Sequence, residues 1–201
     1  MRTHRIGSWG PALVATIAAL TFATSGAASA EPAAPTSGDL MAIAAADSPE
    51  AVAIAEDLLH FAGPSTGSFS PATNVPQPFP QAAPTFGGGC GGGITPVAMT
   101  RAWVHPGPTA VPEVPVGEVK VYAAPTIPVL PAHSDLKFAW LNVDTNIGGL
   151  ETLDDVIGDV PQLSKTVKSG TGRIVGTLYG SLSYVNGITC ALTPTMGGFF
   201  A

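Results

Sequence analysis

The chain has 201 residues, of which 11% are charged, and its fourteen Asp and Glu outweigh its eight Lys and Arg for a net charge of −6. An acidic balance without Lys/Arg clusters excludes nucleic acid and anionic membrane surfaces as partners, since both demand concentrated positive charge. With 24 Gly and 20 Pro, much of the chain must be turn or extended loop, which favours β structure over α.

Residues 1 to 30 read as a secretory signal peptide. Arg2 and Arg5 give a positive start, Pro11 to Phe22 an apolar run too short for a bilayer, and Ala28-Ser29-Ala30 a small-x-small cleavage site before Glu31. No twin-arginine pair is present, and no Cys follows the apolar run before Cys90 to carry a lipid. The expected product is secreted or extracytoplasmic, associated with the cell envelope, and has no integral membrane segment once cleaved. The leader holds two of the basic residues and none of the acidic ones, so cleavage makes the remainder more acidic still.

Residues 31 to 63 form an Ala-rich arm. Glu31 to Met41 lacks any period and reads as a mobile tail. A short helix follows, with Asp47 or Ser48 as cap, Pro49 in its first turn, Glu50 at its positive end and Gly63 as its stop. Val52, Ala55, Leu58 and Leu59 make a stripe, with Ile54 and Phe61 at its margin, expected to dock on the following domain. Glu56 and Asp57, with no Lys or Arg on the helix, speak against a membrane-surface role.

Residues 64 to 93 read as a Pro/Gly-rich linker ending in Gly87 to Gly93, whose centre is Cys90. A phosphate-cradling loop would need a Gly-Lys-Ser/Thr end that is missing. The glycines instead let the backbone pass close to a sheet and let the thiol reach a partner. Two cysteines in an exported chain are best read as one disulfide, Cys90 to Cys190.

Beyond residue 94 the apolar period becomes two, the signature of half-buried strands. Val119 and Val121 oppose Glu118, Lys120 and Tyr122; Leu136, Phe138 and Trp140 should face a core. Ile174, Leu178, Leu182 and Tyr184 share a face opposed by Arg173, Thr177, Ser181 and Ser183. Gly176 and Gly180 on that inner face either admit a large neighbour such as Trp140 or mark a bulge. Strands are expected near residues 94–104, 117–124, 136–143, 163–168, 173–185, 188–193 and 197–201. Pro106 to Pro115 is a loop or an edge, because proline cannot donate to a central ladder. The fold class is therefore mainly β: a small immunoglobulin-like antiparallel β-sandwich over residues 94 to 201, with one disulfide.

Asn186-Gly187 is a hairpin signal, normally a two-residue turn. That register would mix apolar and polar side chains on both faces. A three-residue loop, Val185-Asn186-Gly187 with Gly187 left-handed, instead pairs Tyr184 with Ile188 and Leu182 with Cys190 and gathers the apolar set, including Leu192, on one side.

The Ala/Pro/Gly/Thr-rich exported chain, with Trp140-Leu141-Asn142, Lys165-Thr166-Val167, Thr171-Gly172 and a late Cys190 strand, resembles secreted proteins of unknown function from mycolic-acid-bearing actinobacteria. The likeness covers residues 90 to 201 in general pattern. It implies export and a β-rich domain, and no functional residue is carried over from it.

Catalytic, cofactor and metal motifs are not found. His60, His105 and His133 lack the spacing of a zinc site and read as surface or loop residues. Neither Gly67-Ser68 nor Gly180-Ser181 completes a nucleophile elbow. His133-Ser134-Asp135 holds the residue types of a triad, but neighbouring positions do not converge on one point, so it reads as a turn. Asp144, Asn146, Gly149 and Asp155 overlay a calcium loop, yet Glu151 at the eighth place and the short Asp155 at the twelfth depart from it. A solvated turn, followed by one helical turn over residues 153–158, is the plainer expectation. Function is thus expected to be that of a non-enzymatic secreted or envelope interaction module whose partner is an envelope protein or glycan. An envelope hydrolase or ligand-binding enzyme, with a site assembled from scattered residues, is the alternative.

Overall fold

A computed structural model describes residues 36–63 and 74–201. The expected signal peptide, the start of the arm and the first part of the linker lie outside the described residues.

The described residues make two helices and fourteen strands: α1 (Ser37–Asp47), α2 (Pro49–Ala62), β1 (Gln77–Pro78), β2 (Ala83–Phe86), β3 (Val97–Pro106), β4 (Thr109–Ala110), β5 (Glu113–Val114), β6 (Val119–Pro125), β7 (Pro131–Ser134), β8 (Lys137–Asn142), β9 (Ile147–Thr152), β10 (Val156–Ile157), β11 (Val160–Pro161), β12 (Ser164–Val167), β13 (Arg173–Tyr184) and β14 (Thr189–Phe200). Ten of these strands join one antiparallel sheet in the order β12-β6-β3-β2-β14-β13-β8-β9, with β1 on β3 and β7 on β13. The expected two-sheet immunoglobulin-like sandwich is therefore replaced by one sheet curled into a nearly closed barrel. The strand β2, within the stretch expected to be linker, lies between β3 and β14 and makes the sheet continuous. At the other side the chain leaving β9 reaches β12, where the Asp155 N–H donates to the Ser164 carbonyl at 3.1 Å.

The barrel interior follows the period-two reading. Val119, Val121, Leu136, Phe138, Trp140, Ile174, Leu178, Leu182 and Tyr184 all pack in one buried cluster. Gly176 makes room for Phe138 rather than for Trp140: a Cβ there would lie within 2.3 Å of the Phe138 ring. Trp140 stands instead over Gly149, where a Cβ would come within 3.0 Å of its Nε1. Gly180 sits at the register shift between β13 and β14. That shift adds one residue on β14 beside Pro194, which has no N–H to keep the ladder in step.

The outer face of β8 and β13 is buried as well. Ala139, Leu141, Val175 and Tyr179 pack there against Leu40, Ala44, Ala51, Ile54, Ala55 and Leu58 of the two helices. The docking expected of the Pro49 helix is thus observed, although Ile54 rather than Val52 or Leu59 is among its buried residues. Ser48 caps it, accepting from the Ala51 N–H at 3.1 Å. The preceding residues, expected to be a tail to Met41, form α1 from Ser37. There the Thr36 N–H donates to Asp39 Oδ2 at 2.6 Å, which covers an otherwise orphaned backbone donor and holds the Asp39 carboxyl below its usual range. Lys137 on β8 ties the helical hairpin down through Asp47 at 2.6 Å. Beneath the helices, burial and then the Asp47 and Glu50 carboxylates push the Tyr179 phenol up to about 12.

The β13–β14 turn has the three-residue register read from burial. Leu182 pairs with Cys190, the Tyr184 N–H donates to the Ile188 carbonyl at 2.9 Å, and Gly187 has φ +81°. A Cβ at Gly187 meets nothing within 4 Å, so Gly187→Ala should cost only the left-handed backbone, about 1 kcal/mol in urea unfolding. A loss near zero would show that the turn readily adopts another conformation.

Candidate ligand-binding groove

Along β3, even-numbered residues such as Ala102 and Val104 enter the core, so alternation turns Trp103 and His105 to the outer face. On β6 the same alternation turns out Lys120 and Tyr122, and pairing sets His105 opposite Lys120 and Trp103 opposite Tyr122. The Trp103 and Tyr122 rings stack with centroids 5.3 Å apart and planes 16° from parallel. On the other side Tyr122 is opposite Ser164 of β12.

Two small hairpins stand beside this face. One is β4–β5, bearing Val111 and Pro112 at its turn, where the Thr109 hydroxyl donates to the Pro112 carbonyl at 2.7 Å. The other is β10–β11, at residues expected to begin with a helical turn. Pairing of Val156 with Pro161 and of Ile157 with Val160 makes them extended instead. Between the hairpins lies a groove of about 810 Å³. Its lips are aliphatic and unusually bare, with Val111 90%, Ile157 70% and Val156 61% exposed.

The floor is polar and internally paired. Asp155 Oδ2 accepts from the Ser164 hydroxyl at 2.7 Å and lies 3.3 Å from Lys120 Nζ. Burial raises the Tyr122 phenol above its ordinary value. Next to the groove, at the seam of the barrel, Lys165 meets Asp154 at 2.7 Å, and that hydrogen bond holds the ammonium on at higher pH. Burial raises the nearby Glu151 carboxyl.

Ser164, His105, Asp155 and Lys120 all line this groove. The Ser164 hydroxyl donates to a carboxylate, and His105 Nε2 lies 3.4 Å from the Asn74 carbonyl. The hydrogen bond from serine to an imidazole base that would activate it is not formed.

The other residues singled out in the sequence, His105 apart, lie outside the groove. Cys90 and Cys190 form the expected disulfide, both fully buried, with Cα atoms 5.9 Å apart. Gly87 passes so close to β14 that a Cβ would lie 2.3 Å from the Thr189 carbonyl oxygen. His60 is exposed on α2, but His105, expected at the surface, is only 6% exposed in β3. His133 and Asp135 pair at 3.1 Å in the open, whereas Ser134 is buried and its hydroxyl accepts from the Leu136 N–H.

The stretch from Asp144 to Asp155 is not a single loop, because β9 runs through it. Asp144 is engaged by Arg173, whose backbone N–H and side-chain Nε donate to it at 2.8 and 2.9 Å and lower its carboxyl pKa. Among the described residues, no group of three or more His, Cys, Asp or Glu is placed to hold a metal ion.

Of the groove residues, the sequence marked Lys120 and Tyr122 as outward and Asp155 as the end of a weak calcium pattern. Their meeting had no local signal, since 35 residues separate Lys120 from Asp155. Compared with family models, with curated proteins and with solved structures, the chain matches none.

Proposed function

We propose that this protein is a non-enzymatic binding module working outside the cytoplasm at the cell envelope, delivered by the signal peptide of residues 1 to 30, and that the groove between the two hairpins is its ligand site. The observation that carries this reading is the combination of bare aliphatic lips with a floor whose charges already satisfy one another. Such a surface offers contact area and hydrogen bonds but no activated nucleophile. A disulfide closing a 100-residue separation fits an oxidising compartment. Among the described residues no helix is long and apolar enough to cross a membrane.

A photoreactive residue placed at Ile157 should form adducts on intact cells, while the same residue at Asp57, exposed on α2, should not. Equal labelling from both positions would remove the groove from consideration. Specific labelling of Ser164 in the purified, oxidised protein by a serine-reactive probe would favour the hydrolase reading.

A further inference from the structure

Resting on the groove as the ligand site, we infer that its ligand is an uncharged carbohydrate chain, bound with a sugar ring against Tyr122 and hydroxyls on the Lys120–Asp155–Ser164 cluster.

Charge is the first reason. Lys120 and Asp155 lie 3.3 Å apart and cancel, so an ionic ligand would have to break that pair to gain one of its own, at a desolvation cost. A neutral ligand adds hydrogen bonds to the pair without dismantling it. Of the neutral ligands, polyols fit the sequence of groups on the floor. An ammonium supplies donors only, a carboxylate acceptors only, and Ser164 and Tyr122 hydroxyls supply both. Neighbouring sugar hydroxyls, each donor and acceptor at once, match such an alternating row, and bonds to the charged members are the stronger kind.

Aromatic geometry is the second reason. Trp103 covers one face of the Tyr122 ring at 5.3 Å. Tyr122 lines the groove and Trp103 does not, so the sugar stacks on the side of the Tyr122 ring away from Trp103. A rigid, pre-stacked aromatic face suits the C–H side of a pyranose, and the aliphatic lips at Val111, Val156 and Ile157 give further apolar contact at the groove edge.

Backbone satisfaction is the third. A peptide adding itself as a strand needs a free edge. Beside the groove the Ser164 carbonyl already accepts from the Asp155 N–H, and the Asp155 carbonyl from the Gln162 N–H at 2.8 Å. Size agrees too: about 810 Å³ lies within the ~300–1,000 Å³ of clefts that hold small organic ligands, so a short oligomer rather than a polymer length is gripped.

The test uses the oxidised protein and four neutral hexasaccharides (cellohexaose, maltohexaose, mannohexaose and galactohexaose), with hexagalacturonate and an oligoproline peptide as rivals. Amide chemical shifts are the readout, and binding of the wild type to cell-envelope fragments is measured in parallel. At least one neutral hexasaccharide should shift Tyr122, Ser164 and Ile157 saturably, with an affinity little changed by added salt. Tyr122→Ala should weaken it about tenfold, the loss of one stacking contact, while Tyr122→Phe keeps the ring and most of the binding. Shifts at these amides from hexagalacturonate or oligoproline alone would overturn the carbohydrate assignment and leave the groove in place. So would silence with every probe if envelope fragments still bind the wild type and not Ile157→Asp. Envelope binding that ignores both Tyr122→Ala and Ile157→Asp would overturn the groove itself.

Discussion

Gly180→Ala should destabilise the barrel by about 3 kcal/mol, combining left-handed strain with overpacking. Gly180 has φ +112°, and a Cβ there would lie 2.2 Å from the Asp135 carbonyl oxygen and 3.2 Å from the Leu136 Cα. Every one of these neighbours is main chain, so no side chain can swing aside. The reason is topological. β13 pairs with β8 as far as Tyr179 and with β7 from Leu182 onward. The link between β7 and β8 runs alongside β13 in the gap, packed against Gly180, with the Asp135 N–H donating to the Ser181 carbonyl at 2.9 Å. Urea unfolding followed by Trp fluorescence measures the effect, with Gly187→Ala as the reference for left-handed backbone in open space. Equal losses at the two glycines would mean that the Asp135–Leu136 main chain yields to a Cβ at Gly180 without cost.

Removing the disulfide is expected to cost more. Cys90 and Cys190 are 100 residues apart, and the chain-entropy model assigns closure of so long a loop about 4–5 kcal/mol. The double variant Cys90→Ala/Cys190→Ala avoids burying a hydroxyl where the sulfurs are fully enclosed, so its loss in urea unfolding reports the crosslink. The bridge joins the loop after β2 to β14, the strand β2 itself pairs with. Opening of the sheet should therefore begin between β2 and β14, seen as early amide exchange at Phe86 and Ala191. Intact mass supplies an independent check: the non-reduced protein should take up no thiol reagent until a reductant is added. Uptake without reductant would refute the pairing, and a double variant as stable as the wild type would refute its energetic role.

How much of this was legible in the chain depended on whether the relevant physics is local. Burial alternating every second residue marked Val119 to Val121, Leu136 to Trp140 and Ile174 to Tyr184 as strands with a known inner face, because a pleated backbone imposes that period. The same rule selected the Tyr184–Ile188 register over the usual two-residue turn, since a one-residue slip would have exposed the apolar set. Helix α2 was readable from Ser48 and Pro49, which act within a single turn.

The rest was decided by contacts between distant segments. Helix α1 lacks an apolar period because Ala42, Ala44, Ala45 and Ala46 look alike in sequence. Only the packing of α1 against β9, which buries Leu40 and Ala44, distinguishes its inner side. β9 was hidden behind Gly148-Gly149, residues that weaken an isolated strand but that Trp140 and Leu40 need as space. Whether strands form one sheet or two depends on which edges meet, and here β2 fills the position that joins β3 to β14. The groove is the extreme case. Lys120, Tyr122, Asp155 and Ser164 are ordinary residues in three separate stretches, and become a site only because barrel curvature and the pairing of β6 with β12 set their side chains on one face. Sequence by itself determined the alternation, the turn and the disulfide, each a matter of neighbours or of a cysteine pair without rivals. Only the tertiary structure decided closure of the sheet and assembly of the groove, because both depend on pairings between strands far apart in the chain, whose energies no local pattern encodes.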